Sequence, residues 1–130
     1  MHKNFLVAGA IFGGIGVVLG AFGAHGLQNI TSDETILHGF QTAVQYQMYH
    51  AFALLATGII IEKTPVSLIK WAGRFFITGI ILFSGSLYLL TVLKIQESNA
   101  VKIAGPVTPV GGLFFIAGWL LLLAGILRKK

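Results

Sequence analysis

Hydrophobic positions along this chain gather into four long runs, near residues 5–24, 42–61, 71–93 and 109–127, separated by shorter polar stretches. Each run approaches the roughly 20 apolar residues that cross a bilayer. The pattern therefore predicts four transmembrane helices in one domain occupying 1–130. Short connections make successive helices antiparallel, and an even number of spans returns both termini to one side. The expected fold is an all-α integral membrane protein, a compact left-handed antiparallel bundle of four helices.

Glycine distinguishes the first run. Gly9, Gly13, Gly16, Gly20 and Gly23 step by four, three, four and three, drawing a stripe without side chains down one helix face. In water each glycine costs about 1 kcal/mol relative to alanine. In lipid the backbone must bond internally, and small residues let neighbouring helices approach closely. Gly111, Gly118 and Gly125 form a second stripe at heptad spacing, and both stripes are expected to contact neighbouring helices. Lys3 and Ala21-Phe22-Gly23-Ala24 imitate a signal peptide, but the apolar run is longer than a signal core, so a retained span is expected.

The stretch Gln28 to Glu34 is polar, and Thr31 with Glu34 fits a capping box that would start the second helix. Within that helix Gln41, Thr42, Gln45, Tyr46, Tyr49 and His50 fall in one half-circle. Such a face must be covered by protein, because an unpaired polar group in hydrocarbon costs several kcal/mol. Two readings follow: hydrogen bonds that fix helix register, or a ligand or ion site. Pro65 ends this helix, and Trp71 with Lys70 and Arg74 reads as an interface anchor, a buried Arg74 being the other option. Ser84 and Ser86, around Gly85, offer hydrogen bonds to their own helix or a neighbour. Thr108 as N-cap with Pro109 after it predicts the start of the last helix, and an anion held by its open amides is the other reading.

Composition narrows the chemistry. With 55% hydrophobic and 10% charged residues the chain lies far from a soluble domain. Cysteine is absent, which removes disulfides and thiolate metal sites. The net charge of +5 is polarised rather than clustered. Lys3, Lys63, Lys70, Arg74, Arg128, Lys129 and Lys130 fall on one side of the predicted bundle, and Lys94 and Lys102 on the other. That asymmetry predicts cytoplasmic termini, a multi-pass protein of the cytoplasmic membrane, and no nucleic-acid partner. Membrane lipid, a membrane-protein partner or a second copy of the chain are the expected partners.

No Asp or Glu lies inside a predicted span, so the carboxylate that a small proton-coupled exporter requires is lacking. A haem between His25 and His50 fails on depth, since the rings would differ by roughly 12 Å. No nucleophile with its base, ligand cluster or phosphate loop is recognisable, so no enzyme activity, cofactor or metal is expected. The candidate functional cluster is His25, Gln41, Thr42, Gln45, Tyr46, Tyr49 and His50, with Arg74, Ser84, Ser86 and Thr108 as contributors. His25 is expected to close the outer end of the bundle by bonding to Gln41, Gln45 or a carbonyl near Thr108.

Several blocks carry a family resemblance: Gly20-Ala21-Phe22-Gly23-Ala24-His25-Gly26-Leu27, the run Phe40 to Ala51, Phe83 to Tyr88, Thr108 to Gly112, and Gly118-Trp119. Together they resemble the signature of the bacterial domain of unknown function 423 family, whose animal relatives are small transmembrane proteins. The resemblance implies a four-helix inner-membrane protein and brings no activity, substrate or catalytic residue. The leading expectation is a non-enzymatic structural, lipid-interacting or partner-binding module. The alternative is a small channel or transporter with a polar pathway along the second helix.

Overall fold

A computed structural model describes residues 1–128, all helical apart from turns and with no strand among them. Lys129 and Lys130, part of the predicted cytoplasmic charge set, lie outside the described residues. The elements are α1 (Lys3–Ala24), α2 (Gly26–Ile30), α3 (Glu34–Lys63), α4 (Ser67–Gly79), a π-helical turn (Ile80–Ser84), α5 (Gly85–Ile95), α6 (Val101–Ala104) and α7 (Val107–Leu127). Three continuous runs are long and apolar enough to cross a membrane: Lys3–Ile30, Ser67–Ile95 and Val101–Leu127. The fourth long helix, α3, spans 30 residues but is more polar.

Several helix boundaries differ from the sequence pattern. The predicted capping box does not form: Asp33 caps α3 by accepting from the Thr35 amide at 2.9 Å, while the Thr31 hydroxyl accepts from the Asp33 amide. Asp outranks Thr as a cap, and a two-position shift hands it that role. At α7 the helix starts at Val107, two residues before the expected Pro109, and Thr108 makes no cap. Its hydroxyl is instead paired with Ser86 on α5. Pro65 acts as expected, with α3 ending at Lys63 and α4 beginning at Ser67.

Neighbouring helices run antiparallel, as contacts along their lengths show. The His2 amide donates to the Gly58 carbonyl at one end of the α1–α3 pair, and Gly23 faces Phe40 at the other. α1 packs on α3, α7 packs on α4 and the π turn, and α3 also contacts α4 and α5. The core cluster joins Phe5, Ala53, Leu54, Ile69, Ala72, Phe76, Ile80, Phe115 and Leu122.

Glycine makes these contacts close. On α1 the tight positions are Gly9 against Leu55 and the Ala51 carbonyl, Gly16 against Met48, and Gly23 against Phe40. Gly13 and Gly20 leave ordinary room, with the nearest atoms 4.0 and 3.4 Å from where a Cβ would sit. The stripe is thus tight at steps of seven, and Gly20 is not the wedge point its spacing suggested. On α7, Gly118 faces Phe76 and Gly125 faces Ile69. Gly111 faces the backbone at Leu82 and Phe83, inside the π turn. That turn widens one helical coil, and its altered register brings Ser84 to the neighbouring helix.

Candidate functional site

The polar centre of the bundle is built on one ridge of α3. Ala43, Gln47, His50, Leu54 and Thr57 are buried, at steps of four, three, four and three. Gln47, 2% exposed, ties three helices together. Its Nε2 donates to the Phe12 carbonyl of α1 at 2.8 Å, and its Oε1 accepts from the Tyr88 hydroxyl of α5 at 2.6 Å. Gly16 is what lets α1 come near enough, since a side chain there would strike Met48 and crowd the Gln47 amide. Four residues back along the ridge, the Ala43 carbonyl accepts from Ser84 at 2.7 Å.

His50 lies one turn further, 4% exposed. The Trp119 indole, which can only donate, gives its Nε1–H to His50 Nε2 at 3.0 Å. Nε2 is therefore the bare nitrogen. Nδ1 carries the proton and donates it to the Tyr46 carbonyl at 2.7 Å. The ring stacks on Phe115, with centroids 3.6 Å apart and planes 9° apart, and Phe76 adjoins it. Both ring nitrogens are thus engaged, and aromatic carbon of Phe115 and Phe76 packs against the ring. Among the described residues no buried side-chain nitrogen or oxygen lacks a hydrogen-bond partner.

The predicted polar half-circle is divided by this arrangement. His50 belongs to the core, and Tyr46 at its edge leans on Phe83 and Phe115. Thr42 is half-buried, whereas Gln41, Gln45 and Tyr49 are exposed, the two glutamines beside Gly20, Gly23 and Ala24 of α1. Hydrogen bonds that fix helix register are therefore seen at His50 and the Tyr46 carbonyl, and among the described residues none joins Gln41, Gln45 or Tyr49 to another helix. The buried ridge lies roughly a quarter-turn or more from those exposed residues, with α1 and α4 on either side of it.

His25 does not bridge to α3 or to Thr108. It is exposed, and its Nδ1 bonds the Ala21 carbonyl of its own helix at 3.1 Å. The helix breaks at that residue, φ −125° and ψ −64°, which turns the ring along α1 rather than across the bundle. Arg74 is exposed with its guanidinium 4.7 Å above the Trp71 ring, the surface arrangement rather than the buried one. Ser84 is buried and reaches across to α3, and Ser86 bonds both the Phe83 carbonyl and Thr108.

Gln47, Tyr88 and Trp119 were not among the candidate residues. For Gln47 a signal existed: it shares its helical face with Ala43, Ala51, Leu54 and Gly58, the small and apolar residues that mark a packed ridge. Tyr88 and Trp119 lie in mostly apolar runs where only partners distant in sequence reveal their role.

One cavity of about 340 Å³ opens where α1 and α2 meet the first turns of α3. Gly20, Gly23 and Ala24 form one wall, Leu37, Phe40 and Val44 the opposite one, and Gln28, Gln41 and Gln45 supply its polar groups. Among the described residues no group of three or more His, Cys, Asp or Glu side chains is placed to hold a metal ion.

Comparison with known proteins agrees with this architecture. The family model described as a protein of unknown function (DUF423) matches residues 19–112. A UPF0382 membrane protein of Staphylococcus aureus is 45% identical over 121 residues, covering 93% of each chain. A second, from Staphylococcus saprophyticus, is 43% identical over 97% of this chain and 98% of its own. The UPF0382 membrane protein YwdK of Bacillus subtilis is 39% identical over 97% of this chain and 98% of its own. No solved structure matches. A glycine-striped helical bundle with membrane-crossing runs, a family model over most of its length and close membrane-protein relatives together place this chain in the DUF423 family of membrane proteins.

Proposed function

We propose that the protein is a non-enzymatic, multi-pass module of the cytoplasmic membrane that acts by binding lipid or a membrane partner on its surface. In this reading α3 is a fourth span and both termini are cytoplasmic. Lys3, Lys63, Lys70, Arg74 and Arg128 gather at one end of the bundle, Lys94 and Lys102 at the other, as a positive-inside protein would have them. The heptad step of the tight glycines favours a left-handed crossing of the helices.

The observation that carries the reading is the interior. Gln47, His50, Ser84, Tyr88 and Trp119 spend their hydrogen bonds on one another and on backbone carbonyls. A solute pathway needs polar groups left for water or cargo to engage, and these have been used in packing. The same pairing removes the cost that Gln47 and His50 of α3 would otherwise carry in lipid.

A channel or transporter is the second reading, and the exposed Gln41, Gln45 and Tyr49 favour it if several copies turn those residues toward a shared path. Reconstitution in sealed liposomes separates the two. Ion and proton leak equal to protein-free vesicles supports the module, and flux that scales with protein and falls in Gln45→Leu supports the channel.

A further inference from the structure

The recess between α1 and α3 has walls suited to a ligand. Its volume of about 340 Å³ lies at the lower end of ligand-binding pockets, which run roughly 300–1,000 Å³. The lining is apolar except for the amides of Gln28, Gln41 and Gln45 and includes no charged residue. Among the described residues none of these three amides has a hydrogen-bond partner within the protein: the paired glutamine, Gln47, faces elsewhere.

Depth makes those amides consequential. Val44 faces Gly20, four residues before the end of α1 at Ala24, or about 6 Å along the helix axis. Gln45 therefore lies below the end of the membrane-crossing run, and Gln41 about one turn nearer that end. An amide left unpaired at such a level costs several kcal/mol. The occupant must then bring hydrogen-bond acceptors to the glutamines and apolar chain to the small-residue wall. It need bring no charge, because none waits for it.

A second copy meets this demand poorly. Related by a two-fold axis, it would set the same hollow against this one and enlarge the gap rather than fill it. A narrow, flexible chain carrying carbonyl groups near the bilayer surface fits instead.

We propose that this recess binds the ester-bearing glycerol region of a diacyl membrane lipid. The Gln41 and Gln45 amides donate to its ester carbonyls, and an upper acyl segment lies along Gly20, Gly23 and Ala24. The proposal rests on the binding-module reading and names its ligand. It predicts selectivity for the ester linkage and indifference to headgroup charge.

Native mass spectrometry of delipidated protein, titrated with defined lipids, tests this. One dioleoylphosphatidylcholine or dioleoylphosphatidylglycerol should bind per chain with similar affinity, and the ether-linked phosphatidylcholine analogue about tenfold more weakly. Gly20→Leu, whose Cβ has room beside Val44, should fill the recess and abolish the bound lipid. Gln41→Leu/Gln45→Leu, which keeps the volume, should reduce ester-lipid binding to the level of the ether analogue. Gly14→Leu adds the same bulk where a Cβ meets nothing and should bind as the parent does. Equal binding of ester and ether lipids, binding confined to the anionic lipid, retention in Gly20→Leu, or a lipid-free dimer broken by Gly20→Leu would each overturn the proposal. Liposome flux is scored on the same preparations, so a failure of the module reading is seen separately.

Discussion

Removing Gln47 asks whether the centre of the bundle is dry. Gln47→Leu deletes two interhelical hydrogen bonds, each worth about 0.6 to 1.7 kcal/mol in a membrane bundle. It also strands the Tyr88 hydroxyl against a leucine, a further penalty of about 1–3 kcal/mol. Together the loss should reach about 2–6 kcal/mol. Tyr88→Phe deletes one bond and leaves Gln47 Oε1 without its donor, at about 1–2 kcal/mol. In the double variant no polar group is stranded at this contact, so the combined cost falls short of the sum by about 1–2 kcal/mol. Fractional unfolding by SDS in mixed micelles, followed by circular dichroism, measures all four corners of the cycle. If water filled the bundle beside Tyr88, its hydroxyl would find a new partner in each variant. The costs would then be small and additive within about 0.5 kcal/mol, and the packed interior would be refuted.

Gly111→Ala drives a methyl into the Leu82–Phe83 backbone, which cannot rotate away, and should lower stability by about 1–3 kcal/mol, whereas Gly112→Ala beside it, with Phe83 at 3.8 Å, should be neutral or gain from helix propensity in the same SDS titration. Gly16→Leu has to displace Met48 and should depress the detergent melting temperature well below that of Gly20→Leu; equal melting temperatures would mean that the α1–α3 contact is not closest at the heptad glycines. Cysteines at Ser32 and Ser98 should react with an impermeant maleimide on intact cells, and protection of both with labelling of the N-terminus would invert the proposed orientation.

The helices were legible because hydrophobic runs and glycine periods are properties of single segments. Gly9, Gly16 and Gly23, like Gly111, Gly118 and Gly125, stand where close approach is needed; spacing picked them out, but on α1 it did not separate them from the roomier Gly13 and Gly20. Which of two offset faces of α3 turns inward was misread, because the polar residues drew attention away from the small ones around Gln47. Gln41 and Gln47 are chemically identical, and only Gly16 on α1 and Tyr88 on α5 decide that Gln47 is the buried one. The π turn escaped for a similar reason: its residues Ile80 to Ser84 read as ordinary helix, and its extra width serves contacts with Ala43 and Gly111 far along the chain. His25 was overread, since its place among glycines suggested close neighbours, whereas the broken helix at that residue leaves the ring outside.

The most direct test of a packed, internally paired interior is the state of the His50 ring in a lipid bilayer. Nitrogen-15 NMR of histidine-labelled protein reports which ring nitrogen holds the proton and whether water exchanges with it. The hydrogen bonds predict the Nδ1–H tautomer, a through-space contact between His50 Nε2 and the Trp119 indole proton, and no water cross-peak. An Nε2–H tautomer, or rapid exchange of the ring proton with water, would contradict the account at its centre.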